Sequence, residues 1–154
     1  MDWLADTNIL LRIAQPTHPM HQEAAEAGES LLRRSDRVCI VLQKAIEFWS
    51  VATRPGAANG LGYSQAETWE ELRKFEAFFT ILPESPKLYG QWRQLVAKYS
   101  VSGKKVHDTR LVASMLVHGV DRLLTFDAQD FVRYAEIQVF QPKDILTGSP
   151  GEIR

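Results

Sequence analysis

Four acidic residues lie beside segments that have the pattern of regular secondary structure. Asp6 and Asp127 come just after short apolar runs, Glu47 falls one turn into a helix-like stretch after another such run, and Asp108 begins a strongly apolar helix-like stretch. Two carboxylates about 4 Å apart repel by about 4 kcal/mol at an effective dielectric constant of about 20. A divalent cation removes that penalty, so a metal site is a physical reason to bring such acids together.

The side chains of this set would offer only oxygen atoms to a metal. Oxygen-only ligand sets select hard cations, so Mg²⁺ or Mn²⁺ is the expected cofactor. Zinc is disfavoured because no His or Cys lies in a ligand pattern with the four acids.

The elements that must position the acids alternate along the chain between strands and helices. Strands are predicted at residues 3–5, 38–42, 80–82, 122–125 and 137–140. Helices are predicted at 9–13, 20–34, 66–79 and 107–118, with one more that contains Glu47 and ends near Arg54 and another that begins at Ser85 and Pro86. This alternation predicts right-handed crossovers and an α/β fold, a three-layer α/β/α sandwich around a mainly parallel sheet.

The predicted sheet also gives the acids a common location. In open α/β sheets, ligands bind in the crevice beyond the carboxyl ends of the strands. Asp6, Glu47 and Asp127 each follow a predicted strand end. Asp108 can reach the same crevice from the start of its helix, so all four acids are expected to meet there.

Length and composition favour one soluble globular domain. The chain has 154 residues, of which 45% are hydrophobic and 24% charged, and these fractions are typical of globular proteins. We expect a single domain over residues 1–146, followed by a short C-terminal tail over 147–154. The one cysteine, Cys39, excludes a disulfide scaffold within the chain and is expected to be a buried small hydrophobic residue.

Charge and hydropathy limit the possible partners. No apolar run approaches the roughly 20 residues of a membrane span, so a cytoplasmic protein without membrane attachment is expected. The 18 Lys and Arg against 19 Asp and Glu give a formal net charge of −1. Proteins that hold nucleic acid by global electrostatics are usually strongly basic. A nucleic-acid partner would therefore have to be held by a local basic patch or by metal cations.

Four segments around the acids carry a family resemblance. They are LADTNILLR (4–12), KAIEFWSVATRP (44–55), VHDTRLVASMLVHGV (106–120) and LLTFDAQDF (123–131). In this order they resemble the successive motifs of PIN-domain nucleases, and most closely the VapC-type toxins of bacterial type II toxin–antitoxin pairs. The resemblance runs from Trp3 to about Leu146, and therefore covers nearly the whole chain.

The resemblance implies roles for individual residues. Asp6, Glu47, Asp108 and Asp127 would form the catalytic metal site of a Mg²⁺- or Mn²⁺-dependent endoribonuclease. Cleavage in the family leaves a 5′-phosphate and a 3′-hydroxyl, as expected when metal ions activate a water and neutralise the scissile phosphate. Beside the site, Asn8 and Thr125 match the polar positions of the family and Asp130 has a supporting role. Basic residues near the acids that could guide RNA are Arg12, Arg54, Lys104, Lys105 and Arg110.

Partners are also implied by the resemblance. VapC-like toxins act on an RNA substrate, commonly form homodimers, and are held inactive by a cognate antitoxin whose helix or extended segment covers a groove near the site. The aromatic residues that could supply such surfaces are Trp69, Phe75, Phe78, Phe79 and Trp92.

Two alternatives from other functional classes stay open at this point. One is a non-catalytic PIN-like module that binds RNA or protein, against which the four intact acids argue. The other is a metal-dependent phosphatase or phosphoacceptor domain, because such proteins also gather acids at strand ends. The phosphatase is disfavoured because Asn8 stands where a haloacid-dehalogenase-like enzyme would need a second Asp after Asp6.

Overall fold

A five-stranded sheet forms the centre of the fold in the computed structural model, which describes residues 1–148. The strands are β1 (Asp2–Ala5), β2 (Arg37–Val41), β3 (Thr80–Leu82), β4 (Arg122–Leu124) and β5 (Gln138–Phe140). The helices are α1 (Thr7–Ile13), α2 (His21–Arg33), α3 (Leu42–Thr53), α4 (Gln65–Phe78), α5 (Leu88–Tyr99), α6 (Lys105–His118) and α7 (Pro142–Thr147). Within this part of the chain, none of the helices is long and apolar enough to cross a membrane.

The sheet is parallel throughout its described pairs, in the order β3-β2-β1-β4-β5. The chain runs from β1 outwards through β2 to β3, and then returns to β4 on the other side of β1. The direction of winding therefore reverses between β1 and β4. In parallel α/β sheets, a crevice for ligands opens at the carboxyl ends of the two strands that flank such a reversal.

Helices cover both faces of the sheet, as the sequence predicted. Leu4 and Leu123 belong to an apolar cluster with residues of α5 and α6. Their neighbours Trp3, Ala5 and Leu124 belong to a second cluster, with residues of α1, α2, α3, α4 and α7. Because β1, β2 and β4 are covered on both sides, every residue after the first in each of these strands is buried and apolar, without polar alternation. The α/β/α sandwich with a parallel sheet is thus confirmed.

Local sequence signals fix several element ends. The Ser64 hydroxyl accepts a hydrogen bond from the Glu67 N–H, and the Glu67 carboxylate accepts one from the Ser64 N–H, so the predicted capping box begins α4. Gly119 takes a left-handed conformation, with φ of 68°, and ends α6. Helix α5 begins at Leu88, slightly later than predicted, because residues 86–87 form a turn after Ser85.

The last helix, α7, was not predicted. It begins with Pro142 at its first turn, Ile145 is buried, and Arg34 Nη2 donates a hydrogen bond of 3.0 Å to the Ile145 carbonyl. The helix ends at Thr147, close to the boundary expected between domain and tail. That boundary stays a prediction, since residues 149–154 of the expected tail lie outside the described residues.

Cys39 lies in β2 and is fully buried, as expected. Burial raises the pKa of its thiol to about 11. Because the thiolate is the reactive form of cysteine, this residue acts as a small hydrophobic side chain and has no part in the chemistry described below.

Candidate active site

Asp6 lies at the reversal point of the sheet, between the end of β1 and the start of α1. Its backbone N–H donates to the Leu124 carbonyl of β4 at 3.0 Å. Its carboxylate caps α1 by accepting from the Thr7 N–H at Oδ1, over 2.7 Å, and accepts from the Thr125 hydroxyl at Oδ2, over 2.8 Å. The carboxylate is buried and held by donors on both oxygens, which fixes its orientation.

Thr125 and Asn8 join Asp6 to Asp127. The buried Thr125 hydroxyl donates to Asp6 and accepts from Asn8 Nδ2 at 3.0 Å and from the Asp127 N–H at 3.0 Å. It therefore uses its single proton and both of its lone pairs. Asn8 Nδ2 also donates to Asp127 Oδ2 at 3.1 Å, and Asn8 Oδ1 accepts from the Phe126 N–H. The two polar residues predicted beside the acids thus set the relative positions of two carboxylates.

Glu47 reaches the same crevice from α3. Its Oε2 accepts hydrogen bonds from the Thr7 hydroxyl at 2.7 Å and from Lys44 Nζ at 2.9 Å, and its Oε1 accepts one from Gln43 Nε2 at 3.3 Å. Partial burial acts to raise the pKa of Glu47, but the hydrogen bond and charge of Lys44, helped by Thr7 and Gln43, outweigh it. The pKa of Glu47 therefore lies below its usual range, and the side chain is an anion at neutral pH.

Lys44 is the charged site residue that sequence reasoning missed, beside the uncharged Thr7 and Gln43. It is 5% exposed, and its Nζ lies 3.1 Å from Asp6 Oδ1 and 2.9 Å from Glu47 Oε2. Burial acts to lower the pKa of this lysine, but the charges of the two carboxylates raise it above its usual value. One signal was available in the sequence, since residues three apart share a helix face and Lys44 precedes Glu47 by three.

Asp108 approaches from the first turn of α6. Burial raises its pKa, and the charges of Asp130 and Asp6 act in the same direction, while those of Lys105 and Lys44 oppose the shift. The start of α6 lies beside Glu47, because Gln43 Nε2 of α3 donates both to Glu47 Oε1 at 3.3 Å and to the carbonyl of His107, the residue before Asp108, at 3.0 Å. Asp108 therefore lies at the same edge of the sheet.

Asp130 is held beside Asp108 by a shared lysine. Lys105 Nζ lies 2.7 Å from Asp130 Oδ1 and 3.6 Å from Asp108 Oδ2. Asp130 thus contacts the same lysine as Asp108, and its supporting role stays a prediction.

The basic residues predicted to guide RNA are spread over the surface. Lys104 and Lys105 lie at the start of α6, close to Asp108, and Arg110 forms an ion pair with Glu84 over 3.1 Å. Arg12 donates to Gln15 at the far end of α1. Arg54 directly follows α3, about 10 Å along the helix from Glu47 at 1.5 Å per residue. The start of α6 is therefore the place where predicted basic and acidic residues come together.

The acids meet at one edge of the sheet but do not form a closed ligand shell. Within residues 1–148, no three His, Cys, Asp or Glu side chains are arranged so that they could share a metal ion. The ammonium group of Lys44 lies between Asp6 and Glu47 and supplies positive charge there. The donor atoms are of the chemical kind that Mg²⁺ and Mn²⁺ prefer, because the acidic side chains offer carboxylate oxygens.

Known proteins share both the sequence pattern and the fold. Ribonuclease VapC24 of Mycobacterium tuberculosis strain H37Rv is 27% identical over 142 residues, which cover 89% of this chain and 94% of that protein. The crystal structure of VapBC2 from Rickettsia felis, bound to a DNA fragment from the promoter, contains a chain that superposes on this one with a TM-score of 0.68. The two chains are 15% identical, and the match covers 92% of this chain and 98% of that one.

A second solved structure has the same fold. VapC20 of Mycobacterium tuberculosis, a sarcin-ricin loop cleaving toxin, has a TM-score of 0.63 at 12% identity, covering 88% of this chain and 98% of that one. The sequence model of the PIN domain matches residues 4–137. The resemblance predicted from the four motifs is thereby confirmed, and the chain belongs to the PIN domain family.

Proposed function

We propose that this chain is a metal-dependent endoribonuclease of the VapC type, the toxin of a VapBC-like pair, and that it works in the cytoplasm. The observation that carries the proposal is the junction of β1 and β4, where Asp6 and Asp127 are joined through Thr125 and Asn8 in a chain of the PIN domain family. Similarity to Ribonuclease VapC24 over most of both chains supports RNA as the substrate.

Four carboxylates would hold the cofactor, which we propose to be Mg²⁺ or Mn²⁺: those of Asp6, Glu47, Asp108 and Asp127. A divalent cation bound there supplies a water of lowered pKa and neutralises charge on the scissile phosphate. The chain itself contributes preorganisation. The Thr7 N–H and the Thr125 hydroxyl fix the Asp6 carboxylate, and Asn8 fixes that of Asp127, so these groups need little rearrangement when RNA binds.

Lys104, Lys105 and Arg110 are the proposed phosphate contacts nearest to the acids. They lie on the first turns of α6 or directly before it, as Asp108 does. In a chain with a net charge of −1, local positive charge of this kind is needed to attract an RNA backbone. Arg12 and Arg54 lie at the far ends of α1 and α3, and we propose that they contact the RNA further from the scissile bond.

Purified protein should cleave RNA in a metal-dependent way. We expect cleavage of at least one member of a panel of structured and single-stranded RNAs in Mg²⁺ or Mn²⁺, and none in EDTA, because hydrolysis at this acidic site would need the charge and the activated water of a bound cation. Gel analysis of end-labelled RNA measures this directly. Cleavage that persists in EDTA would contradict the proposal. Binding to RNA without cleavage across the panel would favour the non-catalytic PIN-like module.

An apolar groove between α2 and α4 is the proposed site for the antitoxin. It has a volume of about 540 Å³ and is lined by Leu32, Phe75, Phe78 and Phe79 among others. Phe78 is 68% exposed, and exposed apolar patches of this kind mark surfaces that bind other proteins. Trp69 is also exposed, whereas Phe75 belongs to the core. A chain in a VapBC complex has the same fold as this one. A gene for a small DNA-binding protein next to the gene of this chain would support the proposal that an antitoxin binds here.

We further propose that the chain forms a homodimer, as VapC-like toxins commonly do. Static light scattering of the purified protein at micromolar concentration should give twice the mass of one chain. A mass equal to that of one chain over the same concentration range would contradict the dimer without affecting the proposed nuclease chemistry.

A further inference from the structure

Lys44 has an environment that is unusual for a lysine. Its side chain is 6% exposed, and its ammonium group lies within hydrogen-bond distance of both Asp6 and Glu47. Lysines are almost never fully buried unless they are paired. Here two carboxylates, one at the end of β1 and one on α3, share a single ammonium, which offsets part of their negative charge.

The oxygens that Lys44 contacts belong to proposed metal ligands. Asp6 Oδ1 and Glu47 Oε2 each have Lys44 Nζ within 3.1 Å. A cation that binds the same two carboxylates would lie only a few ångströms from the ammonium, and like charges at such distances repel by several kcal/mol at an effective dielectric constant of about 20. The ammonium and a divalent cation therefore compete for the same pair of acids.

We propose that Lys44 is an internal counter-ion that occupies the acidic site in the metal-free protein and gives way when a divalent cation binds. It stabilises the metal-free fold and lowers the affinity of the site for metal. This inference rests on the proposed function, because it takes Asp6 and Glu47 as metal ligands, and it adds a residue that tunes their affinity.

The surrounding contacts allow Lys44 to leave without loss of the site. Asp6 keeps the Thr7 N–H and the Thr125 hydroxyl as donors, and Glu47 keeps the Thr7 hydroxyl and Gln43 Nε2. The lysine ammonium sits on a flexible four-carbon stem and can move while the helix backbone stays in place. Both carboxylates are thus held in position by groups that do not compete with a cation.

The test compares Lys44→Met with the wild type in two measurements made without RNA. In EDTA, the melting temperature of the variant should fall by about 5–10 °C, because breaking a buried ion pair leaves buried charge without compensation. In a calorimetric titration, its Mn²⁺ affinity should rise by about tenfold or more, because the repulsion is gone. The matched control is Lys74→Met, which removes an exposed lysine paired with Glu71 on α4 and should leave Mn²⁺ affinity unchanged.

A second variant, Lys44→Arg, keeps the positive charge and changes the side chain, and so tests whether the charge itself sets the Mn²⁺ affinity. Lys44→Arg should retain the weaker, wild-type affinity for Mn²⁺. An affinity of Lys44→Met that equals or falls below that of the wild type would overturn the proposal, and a drop in melting temperature alone would show that Lys44 serves only the fold. If neither the wild type nor Lys44→Met binds Mn²⁺, the proposed metal site fails as well, so the two failures are distinguishable.

Wild-type protein offers a second measurement in case Lys44→Met does not fold. Acetylation of Lys44 by an amine-reactive reagent, followed by mass spectrometry, should be slow in EDTA and faster at saturating Mn²⁺, because the amine leaves its buried ion pairs. Equal acetylation rates under the two conditions would overturn the proposal.

Discussion

Replacing Asp6 or Asp108 by Asn is expected to lower metal-dependent RNA cleavage by about a thousandfold or more, which corresponds to about 4 kcal/mol of lost transition-state stabilisation. Asn has the shape of Asp but no charge, so the substitution changes the site's chemistry with little change in volume. Asp6 lies at the junction of β1 and β4, and Asp108 lies in the first turn of α6, whose start is linked to α3 by the hydrogen bond from Gln43 to the His107 carbonyl. Initial rates on one RNA at saturating Mn²⁺ measure the effect.

A matched carboxylate away from the site provides the control. Asp121 is exposed, pairs with Arg122 over 3.3 Å, and precedes β4, at the opposite end of the strand from Asp127. Asp121→Asn should cleave at the wild-type rate. Circular dichroism would verify that all three variants are folded. Unchanged cleavage in both Asp6→Asn and Asp108→Asn would show that the activity does not belong to these acids, and the non-catalytic module would become the better description of the chain.

Phe48→Ala is expected to lower the free energy of unfolding by about 3–5 kcal/mol, the range for removing a buried aromatic ring. Phe48 is completely buried and meets the Phe75 ring edge to face, with ring centroids 5.2 Å apart. It follows Glu47 directly in α3, so it anchors to the core the same helix that carries Glu47 and Lys44. Urea denaturation monitored by circular dichroism measures the change.

Phe78 provides the control, because the same Phe-to-Ala substitution there removes an exposed ring instead of a buried one. It is 68% exposed near the end of α4, and Phe78→Ala should change the free energy of unfolding by less than about 1 kcal/mol. A Phe48→Ala variant as stable as Phe78→Ala would contradict the view that this ring fastens α3 to the sheet.

The central fold was predictable because parallel strands buried on both faces have continuous apolar sequences. The run VCIVL (38–42) shows this pattern, and it forms β2 up to Val41 before α3 begins at Leu42. Helix α7 escaped prediction because its six residues make less than two turns and display no helical period. Its signals were local ones, namely Pro142 at the first turn and the reciprocal hydrogen bonds of Gln141 and Asp144.

The acids could be placed from sequence because the ends of parallel strands meet at a common edge, and each acid lies near a predicted strand end or helix start. Lys44 could not be placed in the same way. Its contact with Asp6 joins residues far apart in sequence, through the pairing of β1 with β2, and a helical lysine is ordinarily exposed. The sequence thus indicated which acids lie at this edge of the sheet, but not the lysine that lies between two of them.

The contacts of Asn8 argue against the phosphatase alternative, which would need a second Asp at this position. That side chain donates to Thr125 and Asp127 and accepts from the Phe126 N–H, so it orients neighbouring groups. Membership of the PIN domain family points in the same direction. The remaining question of chemistry is which oxygen attacks the scissile phosphate.

The most direct measurement of this chemistry is the identity of the RNA ends, produced by purified protein in Mn²⁺ and isotopically labelled water. Attack by water on phosphorus, with departure of the 3′ oxygen, predicts a 3′-hydroxyl and a 5′-phosphate that carries one labelled oxygen. A 2′,3′-cyclic phosphate paired with a 5′-hydroxyl would mean that the RNA's own 2′-hydroxyl was the nucleophile. That result would contradict metal-assisted hydrolysis at Asp6, Glu47, Asp108 and Asp127.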